Sequence, residues 1–167
     1  MDVLWAPWRM KYILKEEHFD GCIFCLKEKG EDLRERLILH VNETCMVIMN
    51  RYPYNNGHLM VAPLKHCANP DGLDSSEMLE IMNLLRSSMQ ILKDVMLPEG
   101  FNVGLNVGAA AGAGVEDHMH FHIVPRWVGD TNYMTVVGEV RVIPEHLFAT
   151  YDKLYPHFQA LKPGGTR

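Results

Sequence analysis

Three histidines alternate with apolar residues in His118-Met119-His120-Phe121-His122-Ile123-Val124-Pro125-Arg126-Trp127. Strict alternation closed by a proline predicts a strand, with the histidines on one face and Met119, Phe121 and Ile123 turned to the core. At about 3.3 Å per residue, alternate side chains sit roughly 6.6 Å apart, too far to bond each other but suited to successive atoms of an elongated ligand such as a polyphosphate. Two chemistries fit such a row. His-x-His on a strand is a common metal-holding arrangement. A neutral imidazole, available near pH 7, is also a nucleophile that can attack phosphorus and form a phosphoramidate. Three merely buried core histidines fit less well, because each needs its own polar partner.

A second cluster of reactive types lies upstream. Cys22 and Cys25 form a CxxC, and Cys45 and Cys67 complete the cysteine count. In a cytosolic chain of this size, CxxC points to metal or redox chemistry before a structural disulfide.

The elements that must carry these groups follow from the periodicity. Leu37–Val41 and Cys45–Met49 read as two strands joined by the turn Asn42-Glu43-Thr44, a hairpin. The segment 51–57 is a dense turn signal ahead of a strand at 58–63, which His58 opens and His66 closes. A helix follows, with Ser75-Ser76 placed to cap it, Glu77 and Glu80 in its first turn, and Met78, Ile81, Leu84, Leu85, Met89 and Leu92 on its apolar stripe. It ends near Pro98-Glu99-Gly100. The segment 101–107 alternates as a strand and leads into the small-residue run 108–115, whose backbone N–H groups can approach an anion closely. Beyond Trp127 come strand-like valines at 136–137 and 140–142, a last helix from about Glu145 to Leu161, and a frayed tail at Pro163-Gly164-Gly165.

Composition bounds the rest. The 167 residues and 47% apolar content suit one domain with a real core, and the net charge of -5 comes without a basic stripe, which argues against nucleic acid. No apolar run approaches the roughly 20 residues of a membrane span. Asp2, Trp5, Trp8 and Arg9 do not make a secretory signal, so a cytoplasmic location and no membrane partner are expected.

The segment His-Met-His-Phe-His-Ile-Val at 118–124 resembles the signature of the histidine triad (HIT) superfamily of nucleotide-binding hydrolases and transferases. Met49-Asn50, Asn56-Gly57-His58-Leu59-Met60-Val61, a histidine after that strand and Asn106 ahead of the small-residue loop fall in the same order as in that family. The resemblance covers roughly residues 20–127. The flanking Trp5-Ala6-Pro7-Trp8-Arg9, Ala110-Ala111-Gly112-Ala113-Gly114 and 127–132 look like the bacterial branch similar to diadenosine tetraphosphate phosphorylases.

What the resemblance implies is an α+β HIT-like fold: a mostly antiparallel sheet, a long helix and a C-terminal helix, paired as a two-fold homodimer or a higher oligomer. Residues 1–167 then form a single HIT domain, with 1–20 a docking arm and 128–167 a C-terminal extension. The implied catalytic residues are His120, as nucleophile on the α-phosphate, with His122 at the phosphates and departing oxygen, and His118. Asn50, His58, Asn106, His122 and the loop Gly112, Ala113, Gly114 and Val115 are the implied substrate-binding set. Cys22, Cys25, His66 and His118 match a structural zinc set of some members, with no organic cofactor. Cys45, Cys67 and His40 are rival ligands. The implied substrate is a nucleotide or dinucleoside polyphosphate, cleaved by phosphorolysis or hydrolysis, with phosphoramidate cleavage or nucleotide sensing as alternatives. One departure stands out: the loop lacks the Gln and Ser or Thr of many relatives, so phosphate contacts fall to backbone amides, with Arg126 a candidate aid.

Overall fold

The computed structural model describes residues 21–26, 32–130 and 145–161. The docking arm at 1–20, the valine segments at 136–142 and the tail lie outside the described residues. Five strands run β1 Ile38–Val41, β2 Cys45–Met49, β3 Leu59–Pro63, β4 Gly100–Leu105 and β5 Phe121–Arg126. Among the described residues two α-helices accompany the sheet, α1 Ser75–Met96 and α2 Leu147–Gln159. The sheet order is β1-β2-β3-β5-β4 and every pairing is antiparallel. This is the α+β layout expected, and among the described residues no helix is long and apolar enough to cross a membrane.

The hairpin β1–β2 turns on Asn42, whose side-chain oxygen accepts from the N–H groups of Thr44 and Cys45 at 2.9 and 2.7 Å, an Asx turn. Strands β2 and β3 are buried on both faces. Val47, Met49, Leu59 and Val61 meet Ile81, Leu84, Leu85, Leu92, Leu154 and Phe158 from the two helices. Met46, Ile48, Met60 and Ala62 face the other way, onto Phe24. That two-sided burial explains continuous apolar runs where a one-sided sheet would alternate.

Helix α1 starts one residue earlier than its serines suggested. Asp74 is the cap: its carboxylate accepts from the N–H of Ser76 at 2.8 Å and of Glu77 at 2.9 Å, while Glu77 reaches back to the Asp74 N–H at 2.8 Å. A carboxylate at this position meets the exposed N–H groups and the positive helix end together, so it outcompetes the hydroxyls that follow. Glu80 falls in the second turn and accepts from Asn42. At the helix's far end, Gly57 sits at φ +75°, and a Cβ there would meet Met96 Sδ at 2.7 Å. This close approach seats the turn that delivers His58 onto the sheet.

Helix α2 covers β1, the sheet's first edge. Tyr151 Oη donates to the Ile38 carbonyl and Gln159 Nε2 to that of Leu39, both at 2.9 Å. These bonds occupy ladder acceptors that an edge strand otherwise presents to other chains. The opposite edge is different: Asn102, Val103 and Gly104 of β4 are exposed, so the alternating burial expected of this segment is absent.

The histidine strand is shorter than its alternation predicted. Ladder pairing with β3 stops at Val61 opposite Phe121, which leaves His118 and His120 ahead of the strand. The cause lies in Pro63, which has no N–H and whose carbonyl is taken by the His118 ring, while Met119 N–H donates to Cys67 O at 2.7 Å instead.

Candidate active site and metal cluster

Register places the row on the sheet face away from the helices: His122 stands opposite Met60, and Ile123 opposite Leu59 of the helix-facing core. That face is less open than the sequence suggested. His118 is fully buried and His120 is 5% exposed, leaving only a narrow access to the middle ring, because the Cys22–Cys25 turn folds over them.

Hydrogen bonds fix which ring nitrogen carries each proton. His120 Nδ1 lies 2.9 Å from the His118 carbonyl, which only accepts, so Nδ1 is the N–H and Nε2 keeps its lone pair. A relay sets the next ring. Tyr54 N–H donates to His58 Nδ1 at 3.1 Å, so neutral His58 carries its proton on Nε2 and donates to His122 Nδ1 at 3.0 Å. Neutral His122 therefore carries its proton on Nε2. The His120 and His122 rings meet edge-on, 4.8 Å between centroids, which sets a lone pair beside an N–H donor. Burial pushes the pKa of both His118 and His120 down, and burial together with His120 brings His122 to about 4. All three are neutral near pH 7.

The amide groups of the other implied residues are arranged as follows. Asn50 receives the Tyr52 N–H on its side-chain oxygen at 2.9 Å, and its own N–H donates to the His58 carbonyl, so it holds the turn that carries His58. Asn106 lies beside Gly112: a Cβ on that glycine would stand 4.0 Å from Asn106 Nδ2.

Two expectations change. The N–H groups of Gly112 and Ala113 donate to Ala109 and Gly108 within the loop, so these two amides are already committed. Val115 packs its side chain into the cluster beneath Phe24. Arg126, the candidate aid to phosphate, is already engaged as well. Its Nε and Nη2 grip the Asp130 carboxylate at 2.7 Å each and Nη1 donates to Asn102 at 2.7 Å, a two-pronged pairing that locks the end of β5 to the following turn.

Cys22, Cys25, His66 and His118 come together, their ligand atoms all within 4.8 Å of one another. Cys22 Sγ is 3.2 Å from His118 Nδ1, Cys25 Sγ 3.7 Å from the same atom, and Cys25 Sγ 3.3 Å from His66 Nδ1. Tetrahedral zinc with its usual bond lengths separates sulfur and nitrogen ligands by about 3.6 Å. The His118 ring is also oriented for the task, because its Nε2–H donates to the Pro63 carbonyl at 2.8 Å and turns Nδ1 toward the thiols. With both nitrogens engaged, His118 has none left for substrate. The donor set fits a metal. Cys45 is buried under Thr44 instead, and neither it, Cys67 nor His40 joins the cluster.

Three supporting residues carried no signal strong enough to single them out. Arg36, just ahead of the first strand, is 9% exposed and donates from Nη2 to the carbonyls of Ile23 and Cys25 at 2.6 and 3.1 Å. Tyr54 stacks on His58 at 4.8 Å; two tyrosines flanking Pro53 were the available hint. Phe24, between the thiols, lies against His120.

The HIT domain matches residues 33–128. AP-4-A phosphorylase of Mycobacterium tuberculosis is 36% identical over 152 residues, covering 86% of this chain and 77% of its own. A histidine triad nucleotide-binding protein from Sulfolobus tokodaii superposes with TM-score 0.63 and 25% identity over 84% of this chain and 93% of that one. A Zn-bound histidine triad family protein from Mycobacterium smegmatis does so with TM-score 0.61 and 21% identity, over 75% and 85%. The chain belongs to the HIT-domain family. Within that family it is a nucleotide-processing enzyme.

Proposed function

We propose that this enzyme cleaves dinucleoside polyphosphates in two displacements, with diadenosine tetraphosphate the leading substrate and orthophosphate the second acceptor. His120 carries the reading: its Nδ1–H is tied to the His118 carbonyl, which directs an unprotonated Nε2 toward substrate. Nε2 attacks the α-phosphorus, a P–N bond forms, and the P–O bond to the rest of the polyphosphate breaks. The electron pair leaves on that oxygen as a polyphosphate anion, which His122 Nε2–H stabilises as a hydrogen-bond donor held in place through the Tyr54–His58 chain. Orthophosphate then attacks the nucleotidyl-histidine and releases a nucleoside diphosphate; water in its place releases the monophosphate. Asn106 is assigned to the reacting phosphate, and Asn50 and His58 to shaping the site. The similarity to the mycobacterial phosphorylase supports the choice of substrate.

Zinc is proposed for Cys22, Cys25, His66 and His118, in keeping with their donor geometry. Bound there, it would crosslink the CxxC turn, the segment after β3 and the histidine row, and would leave the chemistry to the imidazoles. A homodimer completes the reading.

Incubation with diadenosine tetraphosphate, with and without orthophosphate, tests the reaction. The expected products are ADP and ATP in equal amounts, with ADP formed only when phosphate is present. AMP and ATP at the same rate under both conditions would identify a hydrolase instead.

The pH profile tests the relay. His122 is brought to about 4 instead of 6.5, so its neutral form, which donates the Nε2–H hydrogen bond, and the His58 bond to its Nδ1 persist as pH falls through 6.5. Assigned to His122, the acid limb of kcat is expected well below pH 6, and a limb at 6.5 would count against the relay. Stability follows the same group: the unfolded chain takes up this proton at about 6.5 while the folded one resists until about 4. The contribution is therefore full above pH 6.5 and declines as pH falls toward 4.

A further inference from the structure

The CxxC turn brings more to the histidine row than two thiols. Phe24 sits between them with no exposed surface. Its ring stacks on that of His120, 4.5 Å between centroids with planes 28° apart, and meets His118 at 5.3 Å and 52°. Arg36 holds the carbonyls on either side of Phe24, those of Ile23 and Cys25, so the ring's position is fixed from the backbone outward. The His118 carbonyl gives His120 a single fixed hydrogen bond at Nδ1. One bond leaves an imidazole free to tilt about that contact, and a flat wall against its face removes the freedom.

We propose that Phe24 is a positioning residue for His120: its ring holds the imidazole plane so that Nε2 keeps its aim, and the thiol-bearing turn thereby sets the geometry of the nucleophile. This rests on the reading of His120 as nucleophile. Phe24 is sealed from solvent, so it acts through His120 and not by touching a nucleotide. Aim matters at this scale, since a displacement of about 1 Å at a reacting atom costs up to about 10²-fold in rate. Offset stacking also keeps water from one face of the ring. A plain core role predicts something else: Phe24 packs with Met46, Ile48 and Met60, and if that were its whole contribution, a leucine would weaken the fold and leave the folded enzyme's kcat alone.

The test compares wild type, Phe24→Leu and Phe24→Tyr as full-length, zinc-loaded protein, with zinc content measured for each. His120 ring-proton shifts are read by NMR at fixed pH on unliganded protein with labelled histidine, and kcat and KM are determined separately. In wild type the stacked phenyl is expected to move His120 ring protons upfield. In Phe24→Leu that displacement disappears and kcat falls about tenfold, with KM within about twofold and zinc content unchanged. Phe24→Tyr keeps a ring and restores both signatures. Unchanged His120 shifts and kcat in Phe24→Leu would overturn the proposal, as would a raised KM at constant kcat. Should the leucine variant fail to fold, ordinary His120 shifts in wild type suffice to refute it. Should wild type turn over no dinucleoside polyphosphate, the proposed reaction falls, and the shift comparison alone decides the role of Phe24.

Discussion

Replacing His120 with alanine is expected to lower turnover of diadenosine tetraphosphate by at least about 10³-fold while nucleotide affinity changes by no more than a few-fold. The asymmetry follows from the division of labour in the site. On the proposed mechanism an alanine removes the atom that forms the new bond and leaves no other unprotonated nitrogen at that spot, since His118 is engaged at both ring nitrogens and His122 presents an N–H. Binding groups elsewhere remain, so the loss falls on the chemical step. The missing ring also leaves a space beside Phe24, so the variant's thermal midpoint is measured alongside. A variant that folds, binds nucleotide and retains near-normal turnover would remove His120 from the mechanism.

The second large effect is on stability. Protein purified without added metal is expected to carry close to one equivalent of zinc, and Cys25→Ser to lose it together with roughly 10 °C of melting temperature. A closed zinc site contributes folding energy outright, because the unfolded chain has no preformed cluster to bind the ion. The cluster spans Cys22 to His118, so its loss frees the turn that covers the histidine row. A loss of about 3–5 kcal/mol shifts the midpoint by about 2–4 °C per kcal/mol in a domain of this size. Less than about a tenth of an equivalent of zinc in the native protein, or a Cys25→Ser variant melting with the wild type, would exclude the structural site. Activity loss alone would not decide the matter, since Phe24 ties the same turn to His120.

The difference between what was legible in the sequence and what was not has a physical pattern. Groups defined by type and spacing were readable: the alternation at 118–124, the CxxC, the hairpin around Asn42, and the apolar stripe of α1. Their juxtaposition across the fold was expected from resemblance, and the antiparallel register now accounts for it by placing His122 opposite Met60 on the face beneath Phe24. What escaped were partnerships that no local pattern encodes. Arg126 reads the same whether it waits for phosphate or closes on Asp130, and only the turn at 127–130 decides it. Phe24 looks like any apolar residue until the segment leading into β5 brings His120 under it. Arg36 looks like a surface charge, yet it holds the backbone of the metal turn. The start of β5 is not legible because alternation reports where side chains point, while ladder bonding depends on the partner, and here the partner ends in Pro63. The small-residue loop was read by its freedom to approach a ligand, but its amides at Gly112 and Ala113 bond within the loop.

In the proposed mechanism one imidazole nitrogen carries the nucleotide between the two displacements. Rapid acid-free quenching of the enzyme with diadenosine tetraphosphate in the absence of orthophosphate, followed by proteolysis and mass spectrometry, tests it most directly. One nucleoside monophosphate group is predicted on the peptide containing residues 118–122, mapped to His120, discharged as ADP when orthophosphate is added. Steady product formation with no histidine ever carrying the nucleotide, or with the group on a different residue, would contradict it.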